Sequence, residues 1–331
     1  MISFDGEELM AMKLRTEIER IPLPRPIDRG EGIMLLGSCF TDHIGQWLSD
    51  AWLPVSCNPY GVLFNPASIA NTLLRLLQND LYIPDLHEHN GSYYSFDHHG
   101  KWSGEDPETL TQQLVDLETE ARSFLSSAKH LIITLGTSWI YEREGKIVAN
   151  CHKFPASDFT RRRLSVDEIV EQWSKVIEAF SSPQSAQQPT PNSSLLTPNS
   201  TITFTVSPIR HLKDSLHGNQ LSKSTLLLAI DELQHRYPDR VQYLPVYELF
   251  MDDLRDYRFY ADDLVHPSTM AIEMVKELFT ESAMTPALRQ YMHDAAPIVR
   301  ALQHRPSDPE SPQYQAFLAE TLKKKQQLIN S

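Results

Sequence analysis

The sequence predicts an α/β fold: a three-layer α/β/α arrangement around a mostly parallel sheet, with a helical extension at the C-terminus. Three observations predict it. Short apolar or β-branched runs at residues 33–36, 131–135 and 201–206 alternate with amphipathic stretches of helical period. Strands separated again and again by helices make βαβ units, and so a parallel sheet covered on both faces. Finally, 41% hydrophobic and 22% charged residues match a globular protein and are too apolar for a disordered one.

Residues 32–36 read as a buried strand ending at Gly37-Ser38. Residues 41–53 follow as a helix, with Ile44, Trp47 and Leu48 at helical spacing. Asn65-Pro66 opens the next helix, with proline in its first turn and Ile69, Leu73, Leu76 and Leu77 on one face. Residues 105–126 repeat Leu110, Leu114, Leu117, Ala121 and Phe124 every three or four positions. Residues 129–135 form the next strand, ending at Gly136-Thr137. Ser165-x-x-Glu168 is a capping box ahead of a helix through Trp173 and Phe180. Then come a strand at 201–206, a helix at 221–237, a strand at 241–244 and a helix at 267–280 opened by Pro267. Residues 1–282 are read as one domain and 283–331 as a helical extension. Residues 181–200, dominated by Ser, Pro, Gln, Asn and Thr, read as a mobile surface insertion within that domain.

With 43 acidic and 30 basic residues, the formal charge is −13, which argues against nucleic acid as a partner. No run approaches the roughly 18 apolar residues of a membrane span. The first twenty residues scatter charges and lack the apolar core of a secretory signal. Three cysteines without a C-x-x-C are too few for a disulfide framework, and a cytoplasmic location is expected. There are thirteen histidines but no H-E-x-x-H and no Cys/His cluster, so no metal is expected. No phosphate-loop or dinucleotide glycine pattern occurs, so no cofactor is expected either. The oligomeric state is left open.

In parallel α/β sheets, ligands bind beyond the carboxyl ends of the strands. The residues found there are Gly37-Ser38-Cys39-Phe40, Gly136-Thr137-Ser138-Trp139, Ser207-Pro208-Ile209-Arg210-His211 and, later, Asp263-Leu264-Val265-His266-Pro267. Ser38, between a strand and a helix N-terminus, reads alone either as an N-cap or as a nucleophile. A serine nucleophile needs a base, and the base needs an orienting carboxylate. Asp263 and His266, three apart before a helix, supply both. Cys39 as a thiol nucleophile is the weaker reading. Arg210 and His211 are candidates for contacting substrate, and Arg161-Arg162-Arg163 reads as an anion site or a solvated face. His98-His99 reads as exposed. Six acids against two arginines between 248 and 263 are expected to disfavour anionic substrates, unless Arg210 or the Arg161–Arg163 run faces the same mouth.

An early Ser after the first strand with a late D-x-x-H resembles the SGNH hydrolase superfamily, a flavodoxin-like α/β/α fold. More closely, Gly37-Ser38-Cys39-Phe40 resembles the signature of the GSCFA family, with Thr41 in place of its alanine. Further segments match: Asn58-Pro59-Tyr60-Gly61-Val62-Leu63-Phe64-Asn65-Pro66, Leu135-Gly136-Thr137-Ser138-Trp139, Asn150-Cys151-His152-Lys153, Thr205-Val206-Ser207-Pro208, Leu221-Ser222-Lys223 and Asp263-Leu264-Val265-His266-Pro267. The resemblance implies a serine-dependent acyl esterase acting on acylated carbohydrate or cell-envelope-related substrates, with Ser38 as nucleophile, His266 as base and Asp263 as its partner. It also implies an oxyanion hole from the Ser38 and Gly61 N–H groups and a third-block Asn. That Asn is absent, leaving Thr137 or Asn65 as substitutes. An acyltransferase with the same triad and a non-catalytic carbohydrate-binding protein are the alternatives.

Overall fold

The computed structural model describes residues 15–78, 81–181 and 200–331; the interior of the expected insertion, 182–199, lies outside them. β1 (Gly32–Gly37), α1 (Cys39–Asp50), β2 (Val55–Cys57) and α2 (Pro66–Leu77) open the fold. A small antiparallel sheet, β3 (His87–His89), β4 (Ser92–Tyr94) and β5 (Ser103–Gly104), precedes α3 (Pro107–Ser127) and the long β6 (Ala128–Leu135). A second antiparallel sheet, β7 (Trp139–Arg143), β8 (Lys146–Val148) and β9 (Thr160–Arg163), leads to α4 (Val166–Ser181). β10 (Thr201–Val206), α5 (Ser215–Arg236), β11 (Val241–Tyr243) and the single turn α6 (Val246–Glu248) come next. The chain ends in α7 (Thr269–Ala283), α8 (Pro286–Gln303) and α9 (Pro312–Asn330).

The central sheet runs β2-β1-β6-β10-β11 and every pairing in it is parallel. Counted along the chain, these strands stand in the order 2-1-3-4-5. The direction of winding therefore reverses between β1 and β6, and a crevice opens at their carboxyl ends. The period-2 alternation of a strand divides the core in two. Met34, Leu36, Leu131, Ile133, Leu135 and Phe204 face α2, α3, α4 and α5. Ile33, Leu35 and Ile132 face α1, α7 and α8. The protein is thus a three-layer α/β fold. α8 belongs to the second core through Leu288, Tyr291, Met292 and Ala295, and Tyr291 Oη donates to Ala51 O (2.9 Å). α9 lies mostly exposed beside it. Among the described residues no helix is long and apolar enough to cross a membrane.

Local chemistry sets the boundaries. Asn65 Oδ1 caps α2 by accepting from Ser68 N–H (2.8 Å). Ser165 and Glu168 bond reciprocally, Glu168 N–H to Ser165 Oγ (3.1 Å) and Ser165 N–H to Glu168 Oε2 (2.8 Å). Three expectations are corrected. α7 begins at Thr269 behind the cap Ser268, leaving Pro267 outside, where it bridges Tyr260. α5 begins at Ser215, because its first turns are largely polar and exposed and give no apolar period. His98 is fully buried: its ring packs near Tyr60 and Tyr82, Nδ1 meets Ser95 Oγ (2.9 Å), and burial pushes the imidazole down to about 3.

The turn after β1 depends on Gly37. Its φ is +151°, and a Cβ there would stand 2.3 Å from Thr134 O. Strand β6 therefore lies too close for any side chain. Gly37→Ala is expected to cost about 2–4 kcal/mol in urea denaturation. Gly30→Ala, at φ +83° with nothing within 4 Å of the added methyl, is expected to cost only about 1 kcal/mol.

Candidate active site

Ser38 is the residue immediately before α1, with β-region backbone (φ −69°, ψ 167°), yet its side chain caps nothing. Its Oγ is buried and has no hydrogen-bond partner among the described residues. An N-cap serine would accept with that oxygen from a backbone N–H of the first turn. The turn that presents it is fixed from both sides. Gly37 N–H donates to Asn58 Oδ1 (2.9 Å), and Asn58 Nδ2 donates to Asp42 Oδ1 (2.7 Å). Leu63 N–H donates to Gly37 O (3.0 Å) and Ser38 N–H to Thr134 O (3.2 Å).

The loop before α7 is organised by its own acid. Asp263 Oδ1 accepts from the N–H groups of Val265 and His266 (both 2.9 Å), while Oδ2 accepts from His266 Nδ1 (2.5 Å). Those bonds, the backbone ones foremost, hold the Asp263 carboxyl down at about 2. An ionised carboxylate only accepts, so the shared proton sits on Nδ1 and Nε2 is the acceptor nitrogen. Ala261 N–H to His266 O (2.8 Å) closes the loop, with Leu264 at φ +59° at its tip. The His266 and Asp263 side chains are 51% and 49% exposed, so water reaches both.

Ser38, Asp263 and His266 line one cavity of about 730 Å³. Its walls come from the carboxyl ends of β1, β6 and β10 and from the β7–β9 sheet: Phe64 and Asn65, Thr137, Trp139 and Tyr141, Asn150 and Cys151, Arg161, and the run from Ile209 to Asp214. It therefore occupies the crevice that the strand order opens. Arg210 and His211 both line it. Burial, with Lys223 and Arg161 nearby, pushes the His211 imidazole down to about 4. Arg161 lies over the Trp139 ring (4.3 Å to its centroid) and pairs with Asp214. Of the acids between 248 and 263, only Asp263 reaches the cavity, whereas Arg161 and Arg210 do face it. Arg162 instead pairs with Glu142 and Glu168 outside it. Among the described residues no three His, Cys, Asp or Glu side chains gather as a metal site.

The expected oxyanion donors are brought together only in part. Gly61 does not line the cavity: its N–H closes a turn onto Asn58 O (2.8 Å), and its α-carbon packs against His99. The Ser38 N–H is likewise engaged by Thr134 O. Thr137 does line the cavity, though its hydroxyl accepts from Trp139 N–H (3.1 Å) and shares a proton with Ser222 Oγ (3.0 Å). Asn65 Nδ2 gives one N–H to Ser68 Oγ (3.0 Å) and keeps a second. Of the first-turn N–H groups of α1, behind Ser38, that of Thr41 donates to Ser38 O (2.8 Å), while the first N–H groups of a helix have in general no intrahelical acceptor.

Beneath the cavity lies a group with no role assigned from sequence. Lys223 is fully buried, and its Nζ donates to Gly136 O (2.5 Å) and Ser207 O (2.6 Å). Ser222 Oγ accepts from Ser138 N–H (2.8 Å). Together they tie the loops after β6 and β10 to α5. The available signal was periodicity: Ser222 and Lys223 continue the buried stripe of Leu226, Ala229, Ile230 and Leu233. Burial, with Arg210 nearby, lowers the Lys223 ammonium to about 7.

Two family models match this chain: one described as the GSCFA family, over residues 32–279, and one described as GSCFA domain protein, C-terminal domain, over 295–331. A search of curated proteins finds no match.

Lys223→Met strands two buried carbonyls at about 1–3 kcal/mol each, so a loss of at least about 2 kcal/mol is expected. The folded pKa lies below the unfolded 10.5, so the unfolded state binds more protons between pH 7 and 10 and stability rises with pH there. Wild type should therefore gain on Lys223→Met as pH is raised from 7 to 9, read as diverging urea midpoints.

Proposed function

The chain belongs to the GSCFA family, and from that membership and the geometry of the cavity we propose that it is a serine-dependent acyl esterase of SGNH type. The observation that carries this reading is Ser38, which lines the same cavity as a carboxylate-oriented imidazole and whose buried hydroxyl has no partner among the described residues. In the proposed reaction Ser38 Oγ attacks the acyl carbon while its proton passes to His266 Nε2. Asp263 holds the ring by Nδ1 and stabilises the imidazolium. The alcohol leaves with that proton, an acyl-serine remains, and a water activated by His266 releases the acid. Asn65 Nδ2 and the N-terminus of α1 are the donors assigned to the oxyanion, in place of the engaged Gly61 N–H.

The half-exposed Asp263–His266 pair favours water as the acyl acceptor, which sets hydrolysis ahead of acyl transfer. The cavity's aromatic wall of Phe64, Trp139 and Tyr141 suits the apolar face of a sugar ring or a short acyl chain, the basis for proposing acylated carbohydrate as the substrate class.

Wild type is expected to hydrolyse 4-nitrophenyl esters of short acids and to be labelled by a fluorophosphonate probe. Ser38→Ala should abolish labelling and lower kcat on the order of 10⁴-fold or more, with Asp263→Asn losing about 10²–10⁴-fold. Equal labelling of Ser38→Ala, or none of wild type, would sink the esterase reading and leave a binding protein.

A further inference from the structure

Two cations on the cavity wall have no carboxylate partner among the described residues. Arg210 makes its contacts to Tyr260 Oη (3.3 Å) and Met251 Sδ (3.6 Å), neither of which is an anion. Lys213 Nζ donates to Tyr141 Oη (2.7 Å) and makes no ion pair either. Both line the cavity. The two carboxylates in the same wall are already engaged, Asp214 by Arg161 and Asp263 by His266. The walls around them are largely apolar, from Phe64, Trp139, Ile209 and Leu212. Arg210 is half-buried and so is screened less than the same charge on an open surface, whereas Lys213 is exposed and adds its charge from the solvent side. His211, between Arg210 and Lys213 in the chain, has its imidazole pushed down to about 4, mainly by burial and further by Lys223 and Arg161, and so adds no partner anion to the wall.

We propose that the cavity takes esters carrying a second, anionic group, a carboxylate or a phosphate, seated against Arg210 and Lys213 while the ester faces Ser38. This inference rests on the esterase reading for its chemistry, though not for its binding. Arg210 offers a planar fork of donors that matches either oxyanion, and Lys213 adds a point charge. The observations name this shared chemistry and do not favour one anion over the other. They do place specificity in the loop after β10.

Two measurements test it. First, Trp139 lines the cavity beneath Arg161, so its fluorescence reports occupancy. Ser38→Ala is titrated with succinate and, separately, with inorganic phosphate, at ionic strength matched by sodium chloride. A saturable change with either anion, lost in Arg210→Gln/Lys213→Gln, kept in Arg210→Lys and absent from Trp139→Phe, supports the proposal. Which anion saturates identifies the group. Second, kcat/KM for 4-nitrophenyl hydrogen succinate is divided by that for 4-nitrophenyl butyrate. This ratio should fall at least tenfold in Arg210→Gln/Lys213→Gln. No saturable titration with either anion, together with an unmoved ratio, overturns the anionic-substrate inference. Ser38-dependent hydrolysis of the butyrate ester would then leave the esterase reading standing. Anion binding without any Ser38-dependent hydrolysis would sink the esterase reading and keep the anion site.

Discussion

Lys223 Nζ donates to Gly136 O and Ser207 O, the first carbonyls beyond the two central strands, and so joins β6 to β10 where their ladder stops. Past the last paired residue, a buried carbonyl has no sheet partner and must find a donor elsewhere. Lys223 supplies both from α5, which is itself seated on the sheet by Leu226, Ala229, Ile230 and Leu233. The loops bearing Thr137, Arg210 and His211 are thereby tied to a helix, in addition to the bonds that Gly136 and Thr137 N–H make to Phe64 O. Burying an ammonium group without a carboxylate is expensive. A neutral amine keeps two N–H donors, so the clamp survives loss of the proton. No acid stands there to cancel the charge, and the positive field reaches into the cavity above.

The two halves of the site are held by different means. Ser38 sits in a turn pinned between strands: Gly37 is bonded to Asn58 and Leu63, the Ser38 N–H to Thr134 O, and β6 forbids a side chain at Gly37. Asp263 and His266 sit on an exposed loop, where burial contributes little. There one carboxylate does two things, bonding the loop's N–H groups with Oδ1 and orienting the ring with Oδ2. Ring geometry and loop geometry are consequently coupled. Any change that frees Asp263 loosens both, whereas the turn at Ser38 keeps its own bonds to Asn58, Leu63 and Thr134.

What was legible in the sequence divides along physical lines. Four of the five parallel strands, β1, β6, β10 and β11, and the apolar stretches of the helices between them were read, because burial on one or both faces writes apolar periodicity directly into the chain; the three-residue, half-buried edge strand β2 was not. The antiparallel strands β3–β5 and β7–β9 were not, since strands of two to five half-exposed residues leave no such period. That gap matters, because β7–β9 carries Trp139, Tyr141 and Arg161 into the cavity. The expectation that Ser38, Asp263 and His266 lie at strand ends followed from local pattern. Who already holds a given N–H did not. Gly61 looked available until the fold closed its N–H onto Asn58, and His98 looked exposed until two tyrosines covered it.

Charge shows the same limit in a sharper form. The chain carries −13 overall, and the acids crowd into 248–263, just ahead of His266. In the fold those acids turn away: Asp256 pairs with Arg258, Asp253 with Arg15, and Glu248 accepts from Tyr243 Oη. Beyond a screening length of about 8 Å, exposed charges contribute little to a site. The potential felt by a ligand is thus set by the few groups that line the cavity, of which Arg210 and Lys213 are the uncompensated ones. Nearness in sequence misjudges that set, because the loop after β10 and the strand β9 converge on the cavity from positions fifty residues apart. An acidic protein can for this reason hold a basic pocket, and the fold puts it beside the serine.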